Sequence, residues 1–365
     1  MEDRLRLTVT ITGIVFALVL VAVQIGLLIG FTRTTSNIID HSGVDLWVCS
    51  KGIPYFDVGS ILGERKIYQL LGIPGVSTAE KLIVRFTTWK RPDGGEETIE
   101  IVGFDPATRS GAPWQIVKGA ISDLEQRDSV MIDESYREKL GVIHLGQVVE
   151  IRGRRARVVG FTRGIRSFTT APFVFSSLNS ALDYAQLKED ETIYILVRAA
   201  AGVNPAALRD TIARTVSGVD VYTTLEFSRK TRFYWMFTTG AGLALLIAAI
   251  MGFAVGVAVV GQTIYASTVD RLREYGILKA IGASNTYICL LVAKQAVILA
   301  LAGYALAMLV SSLLVRAAQH SGAPIVLPWQ VAILLLVLAF VMSLGGSIFS
   351  IRKALAVDPS VVMKR

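Results

Sequence analysis

Four long apolar stretches, one at the start of the chain and three in its last third, constrain this sequence more than any other feature. Leu7 to Phe31 runs 25 residues without a charge. A helix of that length rises roughly 37 Å, enough to cross a bilayer with some tilt. Arg4 and Arg6 before it resemble the start of a signal peptide. A signal core runs only about 7–15 residues, and no clear small-x-small cleavage site follows, so the segment reads as an uncleaved span. The other spans are Phe237 to Gly261, about Tyr287 to Val315, and about Leu327 to Ile351. Phe233, Tyr234 and Trp235 precede the second as an interfacial aromatic belt.

The cations outside these helices orient them. Arg4 and Arg6, then Arg271, Arg273 and Lys279, then Arg352, Lys353, Lys364 and Arg365 alternate as expected for cytoplasmic N- and C-termini. Arg229, Lys230 and Arg232 oppose this, but a long translocated domain largely escapes the rule. The expected fold class is therefore a membrane protein: four transmembrane α-helices with a large α+β extracytoplasmic domain between the first and second. Residues 1–31 make the first span, 32–235 the external domain, and 236–365 the remaining three spans. The multi-pass chain is placed in the cell inner (cytoplasmic) membrane, among membrane lipid.

Composition agrees, at 52% hydrophobic and 18% charged against the quarter charged that soluble domains carry. The net charge of +8 does not mark a nucleic-acid footprint, and no nucleic acid is expected. Residues 32–235 hold 26 Lys/Arg against 24 Asp/Glu, so most of the excess flanks the spans. Cys49 lies in the polar region and Cys289 in an apolar one, which argues against their pairing.

Within the external domain, Lys81–Lys90 and Thr98–Phe104 alternate around Arg91-Pro92-Asp93-Gly94-Gly95 and predict a β-hairpin. Gln147–Arg152 and Ala156–Phe161 predict a second around Gly153. Asp133 caps a short helix ending at Gly141. Glu191–Ala199 and Val219–Thr223 read as strands, and Asn204-Pro205 starts a helix between them.

No catalytic, metal or cofactor constellation emerges. There is no G-x-x-x-x-G-K-[ST], H-E-x-x-H, C-x-x-C or G-x-S-x-G. Asp133 and Glu134 are explained by capping. His41 and His320 lack ligand spacing and read as loop histidines, although both fall near the outer membrane surface in this topology; His144 is assigned nothing. Arg152, Arg154, Arg155 and Arg157 form a basic turn, solvated or facing headgroups or a partner protein. The spans hold no Asp or Glu, which argues against an ion-coupled carrier, and Lys294 can snorkel. Gly252 and Gly256 form a G-x-x-x-G at which the second span packs on another helix or on a dimer mate.

The stretch after the second span, residues 266–284, is short, amphipathic and charged. It contains Arg273-Glu274-Tyr275-Gly276-Ile277-Leu278-Lys279-Ala280-Ile281-Gly282-Ala283-Ser284, and Gly282 is placed to stop its helix. This run resembles the R-E-x-G-I-L-[RK]-A-[LI]-G-A-S coupling segment of the FtsX/MacB-like permeases of ABC transporters. Ala354-Leu355-Ala356-Val357-Asp358-Pro359 resembles the same family's ending, and the one-plus-three span layout agrees. Ser129 to Phe161 is loosely similar to the strand–helix–hairpin pattern of MacB-type external domains.

The resemblance implies a non-catalytic permease subunit; MacB itself carries a fused ATPase before its first span, whereas only about six residues precede the first span here, so ATP hydrolysis is expected in a separate P-loop ABC ATPase. It implies a homodimer whose external domains move as the ATPase closes. Efflux of a lipophilic or amphiphilic substrate would follow, by mechanotransmission. Arg271, Arg273, Glu274, Gly276, Lys279 and Gly282 are implied as the ATPase-contact region. The layout resembles DevC-like or haem-efflux-like exporter permeases, the former working with a periplasmic adaptor and an outer-membrane channel. The alternative is a transmembrane sensor or regulator that signals to a kinase or a cell-wall hydrolase; a membrane-anchored enzyme ranks below both.

Overall fold

The computed structural model describes residues 2–167, 169, 171–270, 272–320 and 325–355. The chain divides into two compact units, Phe31–Ala241 and Met1–Gly30 with Gly242–Arg365.

The Phe31–Ala241 unit, the insert domain, is built on a ten-stranded sheet. Its strands are β1 (Leu46–Ser50), β3 (Val76–Lys90), β4 (Glu96–Phe104), β5 (Ile116–Lys118), β6 (Ser129–Asp133), β7 (Val148–Ile151), β8 (Arg154–Thr162), β9 (Phe173–Ser177), β11 (Tyr194–Ala199) and β12 (Val219–Thr223). Their order is β12-β1-β11-β3-β4-β9-β6-β8-β5, with β7 paired to β3 and β8. A separate two-residue ladder joins β2 (Leu62–Gly63) to β10 (Glu191–Thr192). Glu191–Ala199, expected as one strand, is thus broken at Ile193.

The helices follow the chain: α1 (Glu2–Thr34), α2 (Asn37–Asp40), α3 (Arg65–Leu71), α4 (Arg137–Leu140), α5 (Leu178–Ala185), α6 (Pro205–Thr215) and α7 (Thr224–Phe233). Leu208 and Ile212 of α6 pack on Leu46, Val48, Ile195 and Val221. Ala181 of α5 sits so close to β4 at Gly103 that a Cβ there would lie 2.1 Å from its own. Asn204 Oδ1 accepts the Ala206 N–H, and Pro205 opens α6.

Both hairpins form. Lys90 pairs with Glu96 across the Arg91–Gly95 turn, where Gly94 takes φ +86°. Ile151 pairs with Arg154 across Arg152 (φ +50°) and Gly153 (φ +79°), the two left-handed residues of a tight hairpin turn. Strands β1 and β9 escaped the sequence reading, and β6 was reached only through the loose resemblance of Ser129–Phe161 to a strand–helix–hairpin pattern. All three lie inside the sheet and are buried on both faces, so they run as apolar blocks without alternation.

In the other unit α1 packs beside α8 (Ala241–Asp270), α10 (Asn285–His320) and α11 (Trp329–Leu355). Glycines set how closely. A Cβ on Gly252 would come 2.2 Å from Leu20, and one on Gly256 would meet Ala17 at 2.6 Å and Met342 at 2.3 Å. Gly303 of α10 lies equally close to Ile14. Helices of this same chain thus approach closely at the G-x-x-x-G, where small residues let backbones come near. Outward side chains such as Ile250, Met251, Ile298, Leu313 and Val341 are exposed and apolar, a surface suited to lipid.

Among the described residues three helical stretches are long and apolar enough to cross a membrane: Ile11–Thr34, Ala241–Gln262 and Asn285–Ala318. In α11 the apolar stretch is shorter, Trp329–Gly345. The second apolar helix starts later than Phe237, because Tyr234–Thr238 forms a π-helical turn and Gly240 (φ +74°) separates it from α8. The aromatic belt is also divided. Phe233 and Phe237 are 62% and 55% exposed, whereas Tyr234 and Trp235 pack on Tyr55.

Candidate coupling segment

Past the end of α8, Leu272–Ala280 forms a nine-residue helix, α9. One face anchors it. Tyr275, 2% exposed, packs with Ile288 and Val292 near the start of α10, and Leu278 and Leu291 close the cluster. Burying side chains of this size is worth roughly 1.5–3 kcal/mol each, which holds a helix too short to persist alone.

Gly282 ends α9 with φ +102°, and the Ala283 N–H reaches back to the Leu278 carbonyl at 2.9 Å. That six-to-one bond around a left-handed residue is the Schellman stop, which a side chain at Gly282 would strain. Two residues on, Ser284 Oγ accepts the Tyr287 N–H at 3.2 Å and caps α10. A helix stop and a helix start separated by so few residues fix the direction of α9 relative to α10.

The opposite face is open. Glu274 is exposed, Ile277 is 44% exposed and Ile281 79%. Spaced i, i+3 and i+7, they line up in one stripe of a carboxylate followed by two isoleucines. Gly276 is buried. Arg271 and the side chains of Arg273 and Lys279 lie outside the described residues, as does the Ala356–Arg365 tail. The sequence reading named the charges and the glycines but missed Ile277 and Ile281. Their signal was present, as apolar residues on the side of an amphipathic helix away from Tyr275 and Leu278.

Three of the other candidates, His41, Asp133 and Arg154, make structural contacts. His41 stacks on Trp114 with ring centroids 4.0 Å apart, and its Nδ1 meets the Asn37 carbonyl oxygen at 2.9 Å. His144 is exposed, and the side chain of His320 lies outside the described residues. Asp133 accepts the Ser135 and Ile165 N–H groups. Arg154 pairs with Asp183 at 3.1 Å. Cys49 and Cys289 are both free, and burial pushes the Cys49 thiol up to about 12. Among the described residues no three His, Cys, Asp or Glu side chains gather where they could hold a metal ion.

Residues 7–215 match the MacB-like periplasmic core domain, and residues 246–359 match the FtsX-like permease C-terminal region. The chain belongs to the FtsX/MacB-like permeases of ABC transporters. An uncharacterised ABC transporter permease of Mycobacterium tuberculosis is 27% identical over 365 residues, covering 98% of this chain and 95% of its own length. One of Mycobacterium bovis is 26% identical over 364 residues, covering 99% and 95%. Among solved structures, the periplasmic region of MacB from Actinobacillus actinomycetemcomitans is similar at 12% identity and TM-score 0.40, covering 53% of this chain and 96% of that one. Permeases of this family are membrane subunits, typically non-catalytic, and imply a partner ATPase.

Proposed function

We propose that this chain is the permease subunit of an ABC exporter or mechanotransmission complex. It would cross the inner membrane four times with both termini in the cytoplasm and pass motion from a separate P-loop ATPase to the insert domain, held outside. Efflux of a lipophilic or amphiphilic substrate is the activity that follows. The observation that carries this reading is α9: a short helix clamped to the start of α10 by Tyr275 and stopped by Gly282, with Glu274, Ile277 and Ile281 left open. A rigidly mounted helix with an uncovered apolar stripe transmits a push instead of absorbing it. The stripe supplies buried contact, and Glu274 supplies a charge to pair with a cation on the ATPase.

A homodimer belongs to the same reading. A groove of about 330 Å³ runs beside α1 and α8 past Leu20, Gln24 and Met251, and the Gln24 side-chain oxygen has no partner among the described residues. A second copy is the occupant proposed for it. A periplasmic adaptor and an outer-membrane channel would complete the export route where the envelope provides them.

The experiment is transport in vesicles that contain the chain and its co-expressed ATPase. Efflux that requires ATP and both proteins supports the proposal. Efflux by the chain without the ATPase, or a phenotype that survives complete loss of transport and needs only the insert domain, contradicts it.

A further inference from the structure

Two carboxylates inside the insert domain serve neither the sheet nor any surface ion pair. Glu100 lies on β4, opposite Phe86 of β3 and beside Phe173 of β9. It is 0% exposed, and neither of its carboxylate oxygens has a hydrogen-bond partner among the described residues. Asp57 lies in the turn Phe56–Val58, and its Oδ2 accepts the Trp235 indole N–H at 3.4 Å. On one side of it, Tyr55 stacks on Tyr234 at 4.2 Å and meets Trp235 edge-on at 5.2 Å. On the other, the Tyr194 hydroxyl donates to the Phe56 carbonyl. Tyr55 and Asp57 thus clasp the π-helical turn Tyr234–Thr238, which runs through Gly240 into α8.

The groups facing this pair are acidic or neutral. Asp57 faces Glu100, Tyr55 and Tyr194 face both carboxylates, Tyr234 faces Tyr55, and Cys49 faces Tyr194. Cys49 in turn faces Asp220 and Lys230, but among the described residues no lysine, arginine or histidine acts on Asp57 or Glu100 themselves. Burial, with the charge of Asp57 added, holds Glu100 well above the carboxylate range. Burial also pushes Asp57 up to about 6, against the Trp235 bond and its own backbone, which pull it down. A buried, unpaired carboxyl is far cheaper to hold protonated than ionised.

We propose that Asp57 and Glu100 form a proton-binding site that sets how firmly the Tyr234–Thr238 turn is clasped to the insert domain. Burial favours the protonated form of Glu100. Ionised Asp57 gives the Trp235 N–H a charge-assisted acceptor, and protonated Asp57 gives it a weaker one. The clasp loosens as the medium acidifies. The geometry lies wholly within the insert domain, so the proposal stands or falls apart from the coupling reading.

The test is tryptophan fluorescence of the full-length chain in detergent, wild type minus Trp235→Phe, between about pH 4.5 and 8. The expected result is a transition in the difference signal centred near pH 6. It should be absent in Asp57→Asn and kept in Glu100→Gln, whose amide imitates the protonated acid. A flat difference signal in the wild-type pair overturns the proposal without recourse to any carboxyl variant. So does the same transition persisting in Asp57→Asn.

Discussion

Gly282 is the residue on which the candidate coupling segment turns. Nothing lies within 4 Å of where its Cβ would be, so space is not the constraint, but its φ of +102° is. Gly282→Ala is expected to cost at least about 1 kcal/mol, expressed as fraying of α9. Hydrogen exchange of the 272–283 amides should rise while the rest of α10 stays protected; unchanged exchange would mean that the stop is not held by this residue. At Glu274 the expectation concerns charge. Glu274→Lys should abolish ATP-dependent function and leave insertion and dimer formation intact, because an exposed side chain contributes little to folding. Unchanged activity would remove the role given to this carboxylate. At Asp57 the sign follows from its raised carboxyl, about 6 in the folded chain against an ordinary 3.8. The folded state then binds a proton that the unfolded state has released, so stability present below that window is lost as pH rises through it. Asp57→Asn cannot ionise, and its Tm should exceed the wild-type value at pH 8 and not at pH 4. An identical offset at both pH values would show that the carboxyl carries no such linkage.

At the scale of elements, α9 is held by its neighbour more than by its own propensity. Tyr275→Ala removes the largest side chain of the cluster with Ile288 and Val292. It should cost roughly 3 kcal/mol locally and detach the helix, read as cross-linking between cysteines placed at 278 and 291 falling several-fold. Gly256 governs a different contact. Met342 can swing away from a new side chain there, but Ala17 cannot. Gly256→Leu should therefore separate α1 from α8 at about 1–3 kcal/mol, visible as a lowered Tm in detergent.

The elements also show what the sequence could and could not reveal. The Lys81–Phe104 hairpin was readable because its strands alternate around a Pro-Asp-Gly-Gly turn, and α6 because Asn204 and Pro205 announce it. Strands β1 and β9 were not, since burial on both faces erases alternation. The π-helical turn was not either. Tyr234 and Trp235 look like an interfacial belt until Tyr55 and Asp57, some 180 residues away, take them up. The candidate coupling segment was legible as charges and glycines. Its apolar stripe at Ile277 and Ile281 needed the position of α10 to show that nothing in that cluster covers it.

For the whole molecule, membership of the FtsX/MacB-like permeases rests on both parts of the chain, residues 7–215 and 246–359. The proposed function adds that a separate ATPase takes hold at α9. The most direct measurement is the stoichiometry of the ATPase retained when the tagged permease is purified in mild detergent, compared with Ile281→Arg and Glu274→Lys at equal membrane yield. The account predicts a P-loop ATPase at near-equal stoichiometry with the wild-type chain. It predicts at least about a tenfold loss in either variant, the effect of some 1.4 kcal/mol at an interface. An ATPase retained equally by all three chains, or none retained by the wild type, would contradict it.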